Sequence, residues 1–311
     1  MSHCHPHPDN NKRLVRIGMP FAALVFCLFY AGLAFSEQTV SEPESEPHAS
    51  IIKMPAADTE QSESDLKDLF TIYKPHYNNF GFYEPIYFTV GTEPDKSKGQ
   101  LSMMYRCFDP EGSWSEANPW LRGIHLAYTQ ITFWNLESDS NPFEDTSYMP
   151  ELFYQSSKMK WFDHPGTDCF IQTGFQHESN GRSGDDSRGI NIFYLKPIVV
   201  WYHLHSRIGF SITPKIWFYL SSEDDDFKDF RGYFDLGLSC GKADSLLMRS
   251  SVRWAAEGPS TQLDLTYPMR EILFKNLNFY LQIQYTNSLA ESLLNFRQRT
   301  QALRIGLALV R

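Results

Sequence analysis

The chain has 311 residues, 28 Lys+Arg against 37 Asp+Glu, and a formal net charge of −9. That is enough chain for one large domain or two modest ones. The acidic balance speaks against nucleic acid as a partner, because phosphate contacts need basic side chains.

At the N-terminus, Lys12, Arg13 and Arg16 precede an apolar run from Ile17 to Phe35, closing on Ala34-Phe35-Ser36. A basic segment, an apolar segment and small flanking residues form a secretory signal over residues 1–36, with cleavage expected after Ser36. An uncleaved membrane anchor is the alternative for the same run. Cys27 follows the bulky Phe26, which does not suit a lipoprotein cleavage site. His3, Cys4, His5 and His7 look like metal ligands but precede the signal and leave with it. Removing residues 1–36 takes away three basic residues and one acidic, so the mature chain is more acidic still. Its cysteines, Cys107, Cys169 and Cys240, are odd in number and widely spaced, neither a disulfide framework nor a zinc motif.

Residues 37–66 read EQTVSEPESEPHASIIKMPAADTEQSESDL, carboxylate-rich with several prolines and few large apolar groups. Such a stretch buries too little surface to offset its ordering entropy, so residues 37–69 are expected to form a disordered acidic segment. Residues 70–311 are then the folded part.

There, period-two alternation replaces helical periodicity. In FYLQIQYTN, Phe279, Leu281, Ile283 and Tyr285 oppose Tyr280, Gln282, Gln284 and Thr286. In QALRIGLALV, Leu303, Ile305, Leu307 and Leu309 oppose Ala302, Arg304, Gly306 and Ala308. These are strands with one apolar and one polar face. About twelve such segments of about 9–13 residues follow one another, a length that suits tilted membrane-spanning strands. Their centres lie near Ile86, Met103, Tyr128, Leu152, Thr173, Tyr194, Ile212, Leu236, Arg249, Asp264, Ile283 and Ile305. Long polar connectors such as SSEDDDFKD alternate with short ones. The pattern predicts an all-β fold: a twelve-stranded antiparallel transmembrane β-barrel in the bacterial outer membrane. Trp201-Tyr202, Trp217 and Tyr219 are expected in interfacial girdles. No segment after the signal approaches the ~20 apolar residues of a membrane helix. A soluble secreted sandwich or barrel would show the same alternation and is the alternative fold.

The stretch FQHESNGRSGDDSRGIN, Phe175 to Asn191, concentrates chemistry. The apolar parity of Ile171, Thr173 and Phe175 continues to His177 and Ser179, so both should leave the barrel on its lipid side. Polar groups there lack water and need partners or a task. Residues two apart on a strand lie about 7 Å apart on one face, within reach of side chains that lean together. A hairpin symmetric about Gly184 would set Asn191 opposite His177, with β-carbons about 5 Å apart. Asn191 would accept the imidazole Nδ1–H and leave Nε2 to take the proton of Ser179. The plain alternative is a surface hairpin without chemistry, since His-x-Ser and Ser-Asn-Gly are common in strands and turns.

The run HxSNGRS, then SR, then Asn fourteen positions after the histidine, resembles the outer-membrane phospholipase A family. So do YTQITFWNL at 128–136 and NPFEDTSYMPELF at 141–153, and the overall likeness covers most of 70–310. The resemblance implies a calcium-using barrel that hydrolyses acyl esters of phospholipids and lysophospholipids and works as a homodimer. It implies His177 as base, Ser179 as nucleophile, Asn191 as the orienting residue and the Gly181 N–H in the oxyanion hole. Calcium would be held by the Arg182 carbonyl, the Ser187 hydroxyl and Ser140 of the partner subunit, an all-oxygen set that fits a hard cation. Gln130, in parity with Leu126 and Tyr128, could pair with its own copy across a two-fold axis; a lumen-facing Gln130 is the alternative. Gly184 stands where the family tends to carry an acid, which puts a second calcium site in doubt. A catalytically silent barrel acting as channel or adhesin remains the other functional class.

Overall fold

Strict alternation leaves each segment one way to bury its polar face and one way to present its apolar face, and the strands close on each other accordingly. The computed structural model describes residues 79–311 except 94–95, 141, 160–164, 204–205, 243 and 273–275. The expected signal (1–36) and acidic segment (37–69) lie outside the described residues, as does the start of the expected folded part.

The strands are β1 Phe80–Gly81, β2 Ile86–Gly91, β3 Ser97–Arg106, β4 Ile124–Trp134, β5 Phe143–Gln155, β6 Thr167–Ser179 and β7 Gly189–His203. They continue with β8 Ile208–Ser222, β9 Phe234–Lys242, β10 Leu247–Ala255, β11 Gly258–Pro268, β12 Tyr280–Leu289 and β13 Arg299–Val310. From β2 to β13 each strand pairs antiparallel with the next, and β13 returns to β2, so twelve strands form a closed barrel. The two-residue β1 adds to β3 at Tyr105 and Met104. Each of the twelve expected centres falls within one of β2–β13.

The two faces separate by chemistry. On β12 and β13, Gln282, Gln284, Thr286 and Arg304 are at most 2% exposed and point into the bore, whereas Ile283, Leu303, Ile305, Leu307 and Leu309 are exposed outside. Inside, Arg304 and Lys98 both pair with Glu291, at 2.9 and 3.1 Å. A second polar network lines the bore along β5, β6 and β7, where Tyr83 donates to Glu151 at 2.9 Å and Gln172 donates to Tyr194 at 2.8 Å. A polar interior and an apolar exterior invert a soluble barrel and belong to an outer-membrane one. This excludes the soluble sandwich.

One expectation is corrected. Trp217 is 5% exposed and packs in the bore with Ala127, Phe153, Ile192 and Tyr194, and Tyr219 packs against that cluster. Neither belongs to a lipid-facing girdle. In β8 the outward parity is that of Phe218 and Leu220, while Trp217 shares the inward parity of Lys215, whose ammonium sits 4.2 Å from the Tyr194 ring centre. Trp201 does face outward, stacked on Phe210 with ring centres 5.6 Å apart.

The antiparallel order sends the even-numbered strands toward one end. There the connectors are 92–96, 135–142, 180–188, 223–233, 256–257 and 290–298. The short helix α1, Phe227–Arg231, belongs to this end. Its Phe227 packs with Ile190, Ala290, Leu293 and Phe296, which seats connector 290–298 over the strand ends.

Candidate active site

Strands β6 and β7 pair in the register Phe175↔Phe193, His177↔Asn191 and Ser179↔Gly189. Phe175 is 55% exposed on the outer wall, its ring centre 4.9 Å from that of Phe193. Alternation therefore puts His177, Ser179 and Asn191 on that wall as well. The residues between them point inward: Glu178 is buried and pairs with Arg231 at 3.0 Å.

The His177 Nδ1–H donates to Asn191 Oδ1 at 2.9 Å. Since an amide oxygen only accepts, this bond selects the tautomer in which Nε2 carries a lone pair. The Asn191 Nδ2–H in turn donates to Ser221 Oγ at 2.7 Å. Ser179, two residues beyond His177 on the same face, lies across from Tyr148 of β5.

Connector 180–188 is shaped by one buried side chain. Asn180 accepts from the Arg182 and Arg188 backbone N–H groups at 3.3 and 3.0 Å through Oδ1, and donates from Nδ2 to the Asp186 carbonyl at 2.8 Å. This tight turn takes Gly181 to φ +66°, a conformation that side chains with a Cβ adopt at a cost. A Cβ on Gly181 would also stand 3.0 Å from the Tyr148 ring. The Gly181 N–H enters none of the connector's hydrogen bonds among the described residues.

Arg182 donates its guanidinium to the Glu144 carbonyl, which ties the connector to β5. The Ser187 hydroxyl donates to a Glu223 carboxylate oxygen at 3.1 Å, and its backbone N–H donates to Gly184 at 3.0 Å. With its proton on Glu223, Ser187 Oγ keeps lone pairs for a cation, so its hydrogen bonding is compatible with a hard-cation ligand. Among the described residues no group of three or more His, Cys, Asp or Glu could hold a metal. The implied donors are instead a carbonyl and hydroxyls. Ser140 is exposed on connector 135–142, at the same barrel end.

Gln130 lies on the outer wall. Its parity mate Leu126 is 52% exposed, while the inward His125, Ala127 and Thr129 are all buried. The lumen-facing alternative is therefore excluded. Gln130 accepts from the Tyr128 hydroxyl at 2.9 Å and donates to Thr132 Oγ1 at 3.2 Å. It pairs across from Tyr148, which in turn pairs across from Ser179, so Gln130 and the serine share one outward row.

Two contributors escaped the sequence reading. Asn180 was legible only as turn chemistry, and its Asn-Gly context was the available signal. Ser221 carried no signal, because its place beside Asn191 depends on a β-bulge.

An apolar-walled twelve-stranded barrel with a histidine held by an amide and a serine on its outward surface defines a class: outer-membrane barrels that carry this polar cluster on the lipid-facing wall, not in the bore. The chain belongs to the phospholipase A1 family, whose profile matches residues 72–309. It is 26% identical over 191 residues to phospholipase A1 of Escherichia coli strain K12, covering 60% of this chain and 62% of that protein. It is 29% identical over 199 residues to phospholipase A1 of Klebsiella pneumoniae, with coverage of 60% and 62%. The matched stretch thus spans less than two thirds of the length of these relatives. The fold is similar to that of the outer membrane phospholipase A of Escherichia coli, with a TM-score of 0.61 and 19% identity over 76% of this chain and 96% of that one. It is also similar to that of the Salmonella typhi outer membrane phospholipase, solved as a dimer with bound calcium, with a TM-score of 0.61 and 20% identity over 75% of this chain and 92% of that one.

Proposed function

We propose that this barrel is a calcium-dependent phospholipase A that hydrolyses acyl ester bonds of phospholipids and lysophospholipids from the outer wall. The observation that carries the proposal is the 2.9 Å bond from His177 to Asn191 on the face that also presents Ser179 and the exposed Phe175. Acyl chains of the surrounding lipid bring their ester groups to this wall without entering the bore.

Ser179 Oγ attacks the acyl carbonyl carbon while His177 Nε2 takes the hydroxyl proton, and the carbonyl electron pair moves onto its oxygen. Asn191 holds the imidazole ring and stabilises the imidazolium through Nδ1–H. The Gly181 N–H, uncommitted within its connector, donates to the oxyanion. Collapse breaks the ester C–O bond, and the imidazolium returns the proton to the departing alkoxide. Water then repeats the sequence on the acyl-serine, with His177 again as base, and frees the fatty acid.

The Arg182 carbonyl, the Ser187 hydroxyl and Ser140 of the partner subunit would hold calcium. When bound, the ion supplies positive charge beside the developing oxyanion. Because one donor comes from a second copy, the active form is a homodimer, and Gln130 on the shared outward row is placed for the two-fold contact. The relatives named above support the substrate class, and the calcium-bound dimer of one of them supports the assembly.

The test is hydrolysis of phosphatidylcholine and lysophosphatidylcholine in mixed micelles by the detergent-solubilised protein, with calcium titrated. Ser179→Ala and His177→Ala should each abolish turnover in a folded barrel, as should a calcium chelator. Wild-type turnover by Ser179→Ala protein, or turnover indifferent to chelation, would overturn the corresponding part.

A further inference from the structure

Strand β8 departs from regularity beside the site. Its pairing with β7 sets Ile192 opposite Tyr219, but the next pair is Asn191 opposite Ser221. The register slips by one residue, and Leu220 is the extra one. Without this bulge, regular pairing would place Leu220 against Asn191. With it, Leu220 and Ser221 both leave on the outer side, Leu220 60% exposed and Ser221 exposed as well. A bulge sacrifices ladder pairing and re-aims side chains. Here it replaces an alkyl neighbour of Asn191 by a hydroxyl at 2.7 Å.

We propose that Ser221 is a positioning residue of the phospholipase site, continuing the hydrogen-bonded run from His177 through Asn191 on the face that carries Ser179. The proposal rests on the phospholipase reading above. An amide on an apolar wall flanked by Phe175, Phe193 and Phe218 has no water at hand for its second pole, and an unpaired N–H there is costly. Freed of Ser221, the Asn191 side chain would turn about its χ angles in search of partners and lose its aim at His177. Held at both poles, it stays in line with the imidazole. A donor bond from Nδ2 also polarises the amide and makes Oδ1 a stronger acceptor. That strengthening matters most when the ring becomes imidazolium, so the effect falls on turnover and not on substrate binding.

The experiment compares Ser221→Ala, Ser221→Thr and Ser221→Val in the detergent-solubilised full barrel with phosphatidylcholine micelles and saturating calcium. Losing one neutral hydrogen bond predicts a kcat about three- to tenfold lower for Ala and Val, with KM within about twofold. Thr, which keeps the hydroxyl in the same volume as Val, should restore most of the rate. In an Asn191→Ala background, Ser221→Ala should add less than about twofold, because the link it supports is gone. Labelling of Ser179 by an alkyl fluorophosphonate should slow in parallel, which measures the nucleophile without phospholipid. Wild-type kcat in Ser221→Ala, equal rates for Thr and Val, or full additivity with Asn191→Ala would each overturn the proposal. Failure of the phospholipase reading looks different: wild-type protein would neither turn over phospholipid nor label at Ser179, and both proposals would fall together.

Discussion

Replacing Asn191 by alanine tests the site at its most specific geometric point. The side chain is partly exposed on the apolar wall, where alanine is at least as well suited as an amide, so the barrel should fold. What disappears is the 2.9 Å bond from His177 Nδ1. In the ground state this is a neutral hydrogen bond. In the transition state the imidazole is charged, and a bond to a charged group contributes about 1.5–3 kcal/mol. The neutral ground-state bond, about 0.5–1.5 kcal/mol, is lost as well, so only the difference of about 1–1.5 kcal/mol falls on kcat. At about 1.4 kcal/mol per factor of ten, kcat should fall about five- to twelvefold. KM should change little, since Asn191 acts through the histidine. The residual rate should stay well above that of Ser179→Ala, because nucleophile, base and oxyanion donor all remain. Initial rates on phosphatidylcholine micelles at saturating calcium, with active sites counted by fluorophosphonate labelling, separate kcat from the fraction of folded enzyme. A kcat within twofold of wild type, or a loss expressed only in KM, would refute the orienting role.

Three further outcomes follow from the same geometry. Gly181→Ala forces a Cβ onto a residue at φ +66° and 3.0 Å from the Tyr148 ring, which should displace the N–H and lower kcat at least about tenfold; Gly184→Ala, at the same φ but in open space, should lose much less activity. Glu291, in connector 290–298, is pushed up by burial, but Lys98 and Arg304 outweigh this and hold its carboxyl below the ordinary range. A depressed folded value means its stabilisation is complete above the unfolded pKa of about 4.3 and is lost as pH falls through the lower folded value. Urea unfolding in detergent should show that acid-side loss in wild type, while Glu291→Gln should cost about 3–5 kcal/mol at neutral pH and show a flatter acid limb. Gln130→Ala should weaken dimerisation about threefold by sedimentation equilibrium in detergent, the scale of one side-chain hydrogen bond between membrane-embedded partners; an unchanged constant would remove Gln130 from the interface.

Several features were legible from residue order alone. Alternation in segments such as QALRIGLALV makes strand and face one local property, because successive side chains on a pleated chain point opposite ways. The pairing of His177 with Asn191 was legible too, since a hairpin centred near Gly184 determines its own register. Alternation failed in KIWFYL, where both parities carry large apolar side chains. With no contrast between faces the phase is undefined, and the alternation places Trp217 and Tyr219 on neither side.

Residue order sets the strands, the polar and apolar sides of most of them, and the outward placement of His177, Ser179 and Asn191, because each follows from contacts within one strand or one hairpin. The closure of β13 on β2, the seating of connector 290–298 by Phe227 and Phe296, and the tie by which Asn180 holds the connector of Gly181 emerge when the barrel assembles. So does the slipped residue in β8 that delivers Ser221 to Asn191. These depend on which distant segments meet and at what register, and a one-residue slip changes a neighbour's chemistry without altering the pattern that a strand shows along its own length.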